Sequence, residues 1–527
     1  KMMSERKSKG CLIATVAWCF IFFILAIAYK FLVHPYFTNK LTEDTGSSSR
    51  YEHEINIAAD SFSGYAVLRS PFLVKWLSDK QIKLNVIDDG ADYSDRLKGL
   101  EERKTQLAVF TIDSYLNAGT RSGSFPGSII LVLDETQGGD ALVAHESAFK
   151  SIQDLNQPST RLVLTPDSPS EFLARVILAH FSLPNLSDKW LSAEEGSSNV
   201  LKDLKRSNPS DKKAFIMWEP HVAKALKESG YKVLLDSSQL KGYIVDVLVA
   251  ERSFLKDNPS LIETITEGYF RALFHYQNKT DGIQKLITQD ANLLDSENLD
   301  SQLANAVADG IQWKNTVDNY AHFGIGQQST VMSQTYLEDI IGNIMSVLIK
   351  TKSIPSDPLN GQYHTLYYDQ VMRSLQSSQF HPGQDLNLIK DLQAKVETSG
   401  SSKAIAATPL NDKQWESLMP VGELQVNAIG FVRGSSNVSR SSQREIATLA
   451  KRLQSFPNFY LEVTGQTRAE GNADANKQLA KARAAAVASL LEKNGIPDWR
   501  IRTKAAPSGN QNGQFQSVIF SVGQQPY

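Results

Sequence analysis

The sequence predicts an α/β protein with two folded modules behind an N-terminal transmembrane helix. Three observations lead to this fold class. Short apolar runs alternate with amphipathic stretches between residues 54 and 330, a rhythm typical of strands and helices in a doubly wound sheet. A glycine-containing loop followed by a helix motif, within residues 463–487, marks a second module over residues 415–527, and an uncharged apolar run occupies residues 11–28. Because a chain of 527 residues exceeds the size of one hydrophobic core, separate domains are expected.

The composition is that of an ordinary globular protein, with 41% hydrophobic and 21% charged residues. The net charge of −2 argues against a general nucleic-acid binder, so no nucleic-acid partner is expected. Both cysteines, Cys11 and Cys19, lie in the apolar run, and the rest of the chain therefore cannot form a disulfide. The sequence contains no H-E-x-x-H, G-x-S-x-G or Walker pattern. We therefore expect no catalytic residue, no metal and no cofactor, and a protein that is not an enzyme.

The apolar run predicts one membrane-spanning helix over residues 11–33, because roughly 20 apolar residues are enough to cross a bilayer. Basic residues precede the run, and the positive-inside rule therefore places residues 1–10 in the cytoplasm. Residues 34–53 then form a tether. A cleaved signal peptide is the alternative, but the run is longer than a signal-peptide core and no small-x-small cleavage site follows it. We expect a single-pass protein of the bacterial inner membrane with most of the chain in the periplasm.

The first module is predicted element by element from its apolar pattern. Consecutive apolar residues predict buried strands, and apolar residues at helical spacing predict amphipathic helices. The predicted strands cover residues 55–59, 82–87, 107–110, 129–133, 161–164, 214–217 and 245–250, and the predicted helices cover 65–77, 95–103, 170–181, 221–229 and 258–278. Residues 331–414 are expected to form a helical extension and a linker, with one apolar helix face between Leu337 and Leu348.

A set of short motifs gives the first module a family resemblance. In order along the chain they are SFSGY at 61–65, TID at 111–113, LDETQGGDALVA at 133–144, IQDL at 152–155, TPDSPS at 165–170, WEP at 218–220 and IVDVLV at 244–249. Together they resemble the type II periplasmic solute-binding proteins, closest to the nitrate/taurine/alkanesulfonate branch that serves ABC transporters. The resemblance implies a two-lobed fold over residues 54–330. Lobe I would contain residues 54–138 and 245–330, and lobe II residues 139–244.

In such a fold the solute lies between the lobes, near loops that begin helices, where free N–H groups accept anions. The expected cleft residues are Ser61, Tyr65, Thr111, Asp113, Gly139, Asp140, Ser168, Ser170, Trp218 and Glu219. Hydroxyls would donate to a carboxylate or sulfonate, and the aromatic residues would cover an apolar part. The alternative is that the hydroxyls only cap helices, that Glu219 is structural, and that Gly139 belongs to the hinge. Acidic residues near the strand ends favour a zwitterion or a cation over an anion.

The second module carries the loop Gly465-Gln466-Thr467-Arg468, followed by Asn476 and Arg483 on a helix predicted from about residue 472 to 491. This pattern resembles the OmpA-like domain, an α/β sandwich whose G-H-T-D loop and N-x-x-L-S-x-x-R-A helix bind peptidoglycan. Asn476 and Arg483 take the positions of the family Asn and Arg, but Arg468 replaces the family Asp.

The resemblance implies that the domain binds diaminopimelate in the stem peptide of peptidoglycan. Because Arg468 would repel the ammonium group of this amino acid, we expect peptidoglycan binding to be weakened. Two alternatives remain open. Arg483 could simply pair with Glu470 or Asp474, or one of these acids could replace the missing Asp.

Two functional hypotheses follow from these motifs. In the first, the protein binds a small anionic or zwitterionic solute between its lobes and contacts the cell wall or an envelope partner through the OmpA-like domain. In the second, both sites are degenerate and the chain is a scaffold in a complex with other envelope membrane proteins. The contents of the interlobe cleft distinguish the two hypotheses.

Overall fold

The computed structural model describes residues 51–293, 299–325, 336–383, 407–432, 434–467, 472–506 and 517–525. By Cα packing the chain divides into two compact units, one of residues 1–55 with 74–85 and one of residues 56–73 with 86–527. In the smaller unit, Lys83 Nζ lies 2.8 Å from Glu54 Oε1. The larger unit contains the terminal domain and every residue of the site described below.

The strands of the described residues are His53–Ala59 (β1), Ile82–Asp88 (β2), Leu107–Thr111 (β3), Gly127–Thr136 (β4), Asp140–His145 (β5), Arg161–Leu164 (β6), Leu191–Ala193 (β7), Lys213–Trp218 (β8), Tyr231–Asp236 (β9), Val245–Glu251 (β10), Ile311–Trp313 (β11), Met419–Glu423 (β12), Tyr460–Gly465 (β13), Ile501–Ala505 (β14) and Val518–Gln524 (β15).

The α-helices of the described residues are Pro71–Ser78 (α1), Tyr93–Glu101 (α2), Ile112–Ser122 (α3), Pro169–His180 (α4), Ser197–Arg206 (α5), His221–Ala225 (α6), Arg252–Asp257 (α7), Pro259–Gln277 (α8), Gly282–Leu293 (α9), Ser301–Asp309 (α10), Thr316–His322 (α11), Leu337–Lys350 (α12), Gln370–Ser377 (α13), Asp412–Glu416 (α14), Arg440–Gln454 (α15) and Ala473–Lys493 (α16).

Two sheets form the first module. The first has the strand order β11-β4-β10-β3-β1-β2, and the second has the order β7-β6-β8-β5-β9. In the first sheet β1 is parallel to β3, and β10 runs antiparallel to both β3 and β4. In the second sheet β6 is parallel to β7 and β8, and β5 is antiparallel to β8 and β9. The chain thus leaves the first sheet after β4, builds the second, and returns as β10.

The crossing between the sheets is short and fixed by backbone hydrogen bonds. Gly138 takes a positive φ of 106°, a conformation that glycine adopts without the strain of a Cβ. The N–H groups of Gly138 and Asp140 both donate to the Ser237 hydroxyl, at 2.8 and 3.3 Å. Because Ser237 belongs to the returning segment, the outgoing and returning chains are held side by side.

The local predictions differ from the structure at two helices. The helix expected over residues 65–77 is divided into a 3-10 helix, Ser63–Val67, and the α-helix α1. The division falls before Pro71, which begins a helix because its missing N–H and fixed φ suit the first position. The helix expected over residues 221–229 ends as an α-helix at Ala225.

No helix in the described ranges, which begin at residue 51, is long and apolar enough to cross a membrane. The predicted transmembrane helix over residues 11–33 lies outside those ranges. Its membrane insertion therefore stays a prediction.

The terminal domain has a four-stranded sheet of order β12-β15-β13-β14, with β13 parallel to β14 and the other pairs antiparallel. The buried residues of α15 and α16 are mainly aliphatic, as expected of helices packed on a sheet. A glycine is required where β13 meets α16, because a Cβ on Gly465 would lie 1.9 Å from the Ala480 carbonyl oxygen. Arg500 is buried and donates to the carbonyls of Phe456 and Phe459.

The terminal domain is joined to lobe II by backbone hydrogen bonds. Ser182 N–H donates to the Glu423 carbonyl at 3.0 Å, and Gln425 N–H donates to the His180 carbonyl at 2.7 Å. Lys241, in the segment that returns to the first sheet, donates its N–H to the Ser455 carbonyl at 2.9 Å. The domain therefore contacts both lobe II and the crossing between the lobes.

Aromatic packing fills the same interface. The ring of Phe456 stacks on Tyr243 with centroids 6.1 Å apart and meets His180 edge-on at 5.1 Å. His180 Nε2 and the Tyr243 hydroxyl lie 2.9 Å apart. Burial, with the nearby positive charge of Arg452, lowers the pKa of His180 well below its ordinary value, so the imidazole is neutral at pH 7.

Candidate functional site

A row of polar side chains crosses the first sheet at the end nearest lobe II. Register places Asp246 of β10 opposite Thr111 of β3 on one side and opposite Asp134 of β4 on the other. Asp134 is in turn opposite Trp313 of β11. The row is thus a consequence of strand pairing, since cross-strand partners lie about 5 Å apart.

A second pair of residues, Asp140 and Trp218, faces this polar row from lobe II. Asp140, the first residue of β5, is opposite Trp218, the last residue of β8. Glu219 follows and is held by two hydrogen bonds: its N–H donates to the Gly139 carbonyl at 2.8 Å, and its carboxylate accepts from the Ala223 N–H at 3.0 Å. The Trp218 backbone is fixed by the Ser197 hydroxyl, which accepts its N–H at 3.2 Å.

Thr111 and Asp246 of the row, with Asp140 and Trp218 of lobe II, border one interlobe cavity of about 30 Å³. This volume has room for roughly two water molecules. The cavity is lined by Asp60, Phe62, Tyr65, Ala91, Tyr93, Thr111, Thr136, Asp140, Pro169, Trp218, Ile244 and Asp246. Because residues from both lobes contribute, the cavity lies where two-lobed α/β folds place their ligands.

The structure brings together four of the ten cleft residues expected from the sequence. Tyr65, Thr111, Asp140 and Trp218 line the cavity. Tyr65 donates its hydroxyl hydrogen to the Asp246 carboxylate and meets Phe62 edge-on, with ring centroids 5.2 Å apart. Thr111 precedes α3 and donates its hydroxyl hydrogen to Ser114 at 2.8 Å.

Six expected cleft residues are not among those that line the cavity in the described part of the chain: Ser61, Asp113, Gly139, Ser168, Ser170 and Glu219. Ser61 is exposed to solvent. Ser168 is the N-cap of α4, accepting the Ser170 N–H at 3.2 Å and donating to the Thr165 carbonyl at 2.6 Å. For Ser168 the geometry therefore corresponds to the capping alternative, and neighbouring Pro169 borders the cavity in its place.

The central acid, Asp246, was not predicted from the sequence motifs. This residue is 1% exposed and contacts the cavity between two other strands. Its neighbours Asp134 and Thr111 come from distant parts of the chain, so strand order was needed to group them. The only local signal is an aspartate inside the otherwise apolar motif IVDVLV.

Burial changes the acid strength of the carboxyls around the cavity. It raises the pKa of Asp134 and Asp140 to about 7, with smaller opposing effects from neighbouring groups. Burial, strengthened by the adjacent Asp134 carboxyl, raises the pKa of Asp246 well above its ordinary range. Just behind the wall, burial also raises the pKa of Asp113 and Glu219 to about 7. A low-dielectric site with several carboxyls thus retains protons near neutral pH.

The buried cations near the site are already paired. Arg96 Nη2 lies 3.0 Å from Asp60, and its Nε lies 2.6 Å from Asp89. Lys314 Nζ lies 2.7 Å from Glu135. Neither cation lines the cavity, so the unpaired acids there have no counter-ion among the lining residues that the structure describes.

In the terminal domain, Arg483 projects from α16 toward backbone and an aromatic ring. Its guanidinium lies 4.9 Å from the centre of the Phe431 ring and donates to the carbonyls of Ser435 and Gln466 at 3.3 and 3.4 Å. Partial burial lowers the pKa of Arg483 from its ordinary value. Asn476 is half-buried on the same helix.

The expected partners of Arg483 are tested only in part by these contacts. Between Arg483 and the described acids, Asp474 included, there is no ion pair within 4 Å. Arg468 and Glu470 lie outside the described residues. The roles predicted for those two residues therefore stay predictions.

Comparison with known proteins identifies the terminal domain. Residues 430–517 match the model of the OmpA family, and the second module is therefore an OmpA-family domain. The search of curated protein sequences found no match for the chain.

Solved structures similar to this chain include two binding proteins and an enzyme. The periplasmic aliphatic sulphonate binding protein SsuA from Escherichia coli is 13% identical, with a TM-score of 0.46 and coverage of 61% of this chain and 99% of that chain. The periplasmic nitrate-binding protein NrtA from Synechocystis PCC 6803 is 11% identical, with a TM-score of 0.46. The similarity covers 64% of this chain and 90% of that chain. The desulfurization enzyme DSZB is 11% identical, with a TM-score of 0.42. The similarity covers 62% of this chain and 100% of that chain.

The strand orders of the two sheets define the first module independently of these similarities. It is a two-lobed α/β fold, and it is fused to an OmpA-family domain.

Proposed function

We propose that this chain is a cell-envelope protein that captures a small solute between its two lobes and contacts the cell wall or an envelope partner through its OmpA-family domain. The observation that carries the proposal is the interlobe cavity, which strand ends of both lobes line with polar and aromatic residues. The predicted helix over residues 11–33 would hold the protein in the inner membrane, with the modules in the periplasm.

The interface between the modules supports a joint function. The terminal domain is hydrogen-bonded to the returning segment of the crossing, through Lys241 and through Asn458, whose amide donates to the Ser238 carbonyl at 3.2 Å. Ser237 of the same segment holds Gly138 and Asp140. A rotation of one lobe against the other about this crossing would therefore act on the terminal domain, and its wall contact would respond to solute.

The second candidate is the scaffold, in which neither site binds a ligand. It is favoured by the small size of the cavity, about 30 Å³, which is less than a typical solute site. It is also favoured by Arg483, which meets carbonyl groups and an aromatic ring where its family role would require a free guanidinium. A conformation in which the lobes separate would enlarge the cavity, and ligand binding distinguishes the two candidates directly.

The test is thermal unfolding of the full chain in detergent with a panel of small solutes: methylammonium, glycine, taurine, methanesulfonate and nitrate. A solute that binds only the folded state adds about 2.7 kcal/mol at a hundredfold excess over its Kd, which raises the melting temperature measurably. Trp218→Ala should abolish the rise because Trp218 lines the cavity. Trp190→Ala is the matched control, since the ring of Trp190 packs against the Arg175 guanidinium and does not line the cavity. No shift with any solute would favour the scaffold.

A further inference from the structure

The cavity wall contains a buried acceptor, a carboxylate oxygen of Asp140, that no described residue satisfies with a well-formed hydrogen bond. Asp140 is 2% exposed and lines the cavity. Burial raises the pKa of the Asp140 carboxyl and the nearby Thr136 hydroxyl lowers it slightly, but within the described residues neither Thr136 Oγ1 nor Asp140 Oδ1 makes a hydrogen bond of normal geometry. Buried polar atoms are nearly always paired, because an unpaired one loses its hydration without compensation. An unpaired carboxylate oxygen at a cavity wall therefore points to a ligand that donates hydrogen bonds.

The other lining residues indicate the charge of that donor. The described wall contains three carboxyl groups, Asp60, Asp140 and Asp246, and neither arginine nor lysine. It also contains four aromatic residues, with Tyr65 and Trp218 among them. Carboxylates attract cations, and aromatic faces stabilise them through the ring quadrupole. Asp60 already pairs with Arg96. An anion would still lie beside the Asp140 carboxyl, with no arginine or lysine among the described lining residues to offset the repulsion.

Helix N-termini do not reverse this preference. Two helices begin beside the cavity, α3 after Thr111 and α4 at Pro169. The positive end of such a helix would ordinarily favour an anion. Each first turn, however, already contains an acid of the chain, Asp113 in α3 and Glu171 in α4. An acid of the chain thus already lies in each first turn, which weakens the attraction of these helix ends for an anion.

We propose that the interlobe cavity receives a primary ammonium group, so that the captured solute is a small amine that carries a positive charge. This inference rests on the proposed solute-binding function. An ammonium group has three N–H donors and is close to a water molecule in size, so it fits the cavity as it stands. One donor would satisfy Asp140 Oδ1, and the ammonium charge would compensate the ionised Asp140 carboxylate at pH 8.

The proposal is tested by calorimetric titration of the full chain at pH 8 with methylammonium chloride and, separately, with sodium methanesulfonate at equal ionic strength. We expect methylammonium to bind and methanesulfonate to give only heat of dilution. Asp140→Asn keeps the shape of the side chain but removes its charge, and should weaken methylammonium binding roughly tenfold or more. Asp203→Asn is the matched control, because Asp203, on α5, pairs with Lys213 of β8 and does not line the cavity.

Each outcome decides something. Methylammonium binding that Asp140→Asn weakens and Asp203→Asn leaves within about twofold supports the assignment. Equal weakening by both variants would show a general charge effect and would overturn it. Binding of methanesulfonate or nitrate without methylammonium would overturn the cation but uphold the solute-binding function. If no solute in the panel binds, both the ammonium assignment and the proposed solute-binding function are overturned. The melting temperature of each variant shows whether it is folded.

Discussion

The Asp140→Asn variant should be more stable than the natural protein at pH 8. Asp140 is buried, and burial raises its pKa from 3.8 to about 7, with repulsion from Glu219 adding to the effect. A carboxyl whose pKa is higher in the folded than in the unfolded state favours folding when protonated. Its contribution is therefore complete below about pH 4 and is lost as the pH rises through about 7.

The size of the effect follows from the same two pKa values. One pKa unit corresponds to about 1.4 kcal/mol. Because Asp140 ionises less readily in the folded state, raising the pH from 5 to 8 should lower the free energy of unfolding by about 2 to 3 kcal/mol. Asparagine has the same shape and does not titrate, so the variant should lose less stability over this range. The difference between the two proteins should therefore widen with pH, in favour of the variant.

The assay is denaturant unfolding of both proteins at several pH values from 5 to 8, without added solute. The other raised carboxyls, such as Asp113 and Asp134, titrate in both proteins. Besides burial, repulsion from Asp140 contributes to their raised pKa values, so its removal should add to the gain in stability of the variant. Parallel stability curves would refute the reasoning, because they would mean that Asp140 is ionised at little cost. A variant that loses stability at pH 8 would show that the Asp140 carboxylate already has a stabilising partner in the protein.

Three further predictions concern other parts of the chain. Phe456→Ala should cost about 3–5 kcal/mol in the free energy of unfolding, because Phe456 is fully buried where the terminal domain meets lobe II; a loss below 1 kcal/mol would contradict that packing. The full chain should sediment weakly with purified sacculi, and Arg468→Asp should increase the bound fraction; strong sedimentation that Arg483→Ala abolishes would show that another acid has replaced the family Asp. Protease added to spheroplasts should degrade the chain beyond residue 36, whereas a protein that washes off membranes would disprove the anchor over residues 11–33.

The α/β class was predictable because it depends on local pattern. Long apolar runs such as 129–133 and 245–250 lie inside β4 and β10, and the amphipathic face between Leu337 and Leu348 is buried in α12. The same reasoning missed β9, whose residues Tyr231–Asp236 include a lysine and are only partly buried. Short strands of this kind have too little local signal, and they form because a neighbouring strand offers hydrogen bonds.

The candidate site was harder to predict than the fold because strand pairing assembles it. Motifs drew attention to Tyr65, Thr111 and Trp218, which line the cavity, because each stands at the end of a strand or beside a turn. Asp246 became visible only through its pairing with Thr111 and Asp134. The charge of the cavity depends on which acids have cationic partners, and those contacts connect residues far apart in the sequence.

The acids of the cavity bear on the choice between a binding protein and a scaffold. A scaffold would gain stability from an uncharged residue at position 140, because a buried carboxyl with an unpaired oxygen destabilises the folded state near neutral pH. A binding protein gains from the same carboxyl, since the cost is recovered when an ammonium group enters the cavity. Greater stability of Asp140→Asn without solute, together with weaker methylammonium binding, would therefore give the destabilising carboxyl a function. If Asp140→Asn gains stability and binds methylammonium as well as the natural protein, Asp140 has no role in solute capture. That result would favour the scaffold.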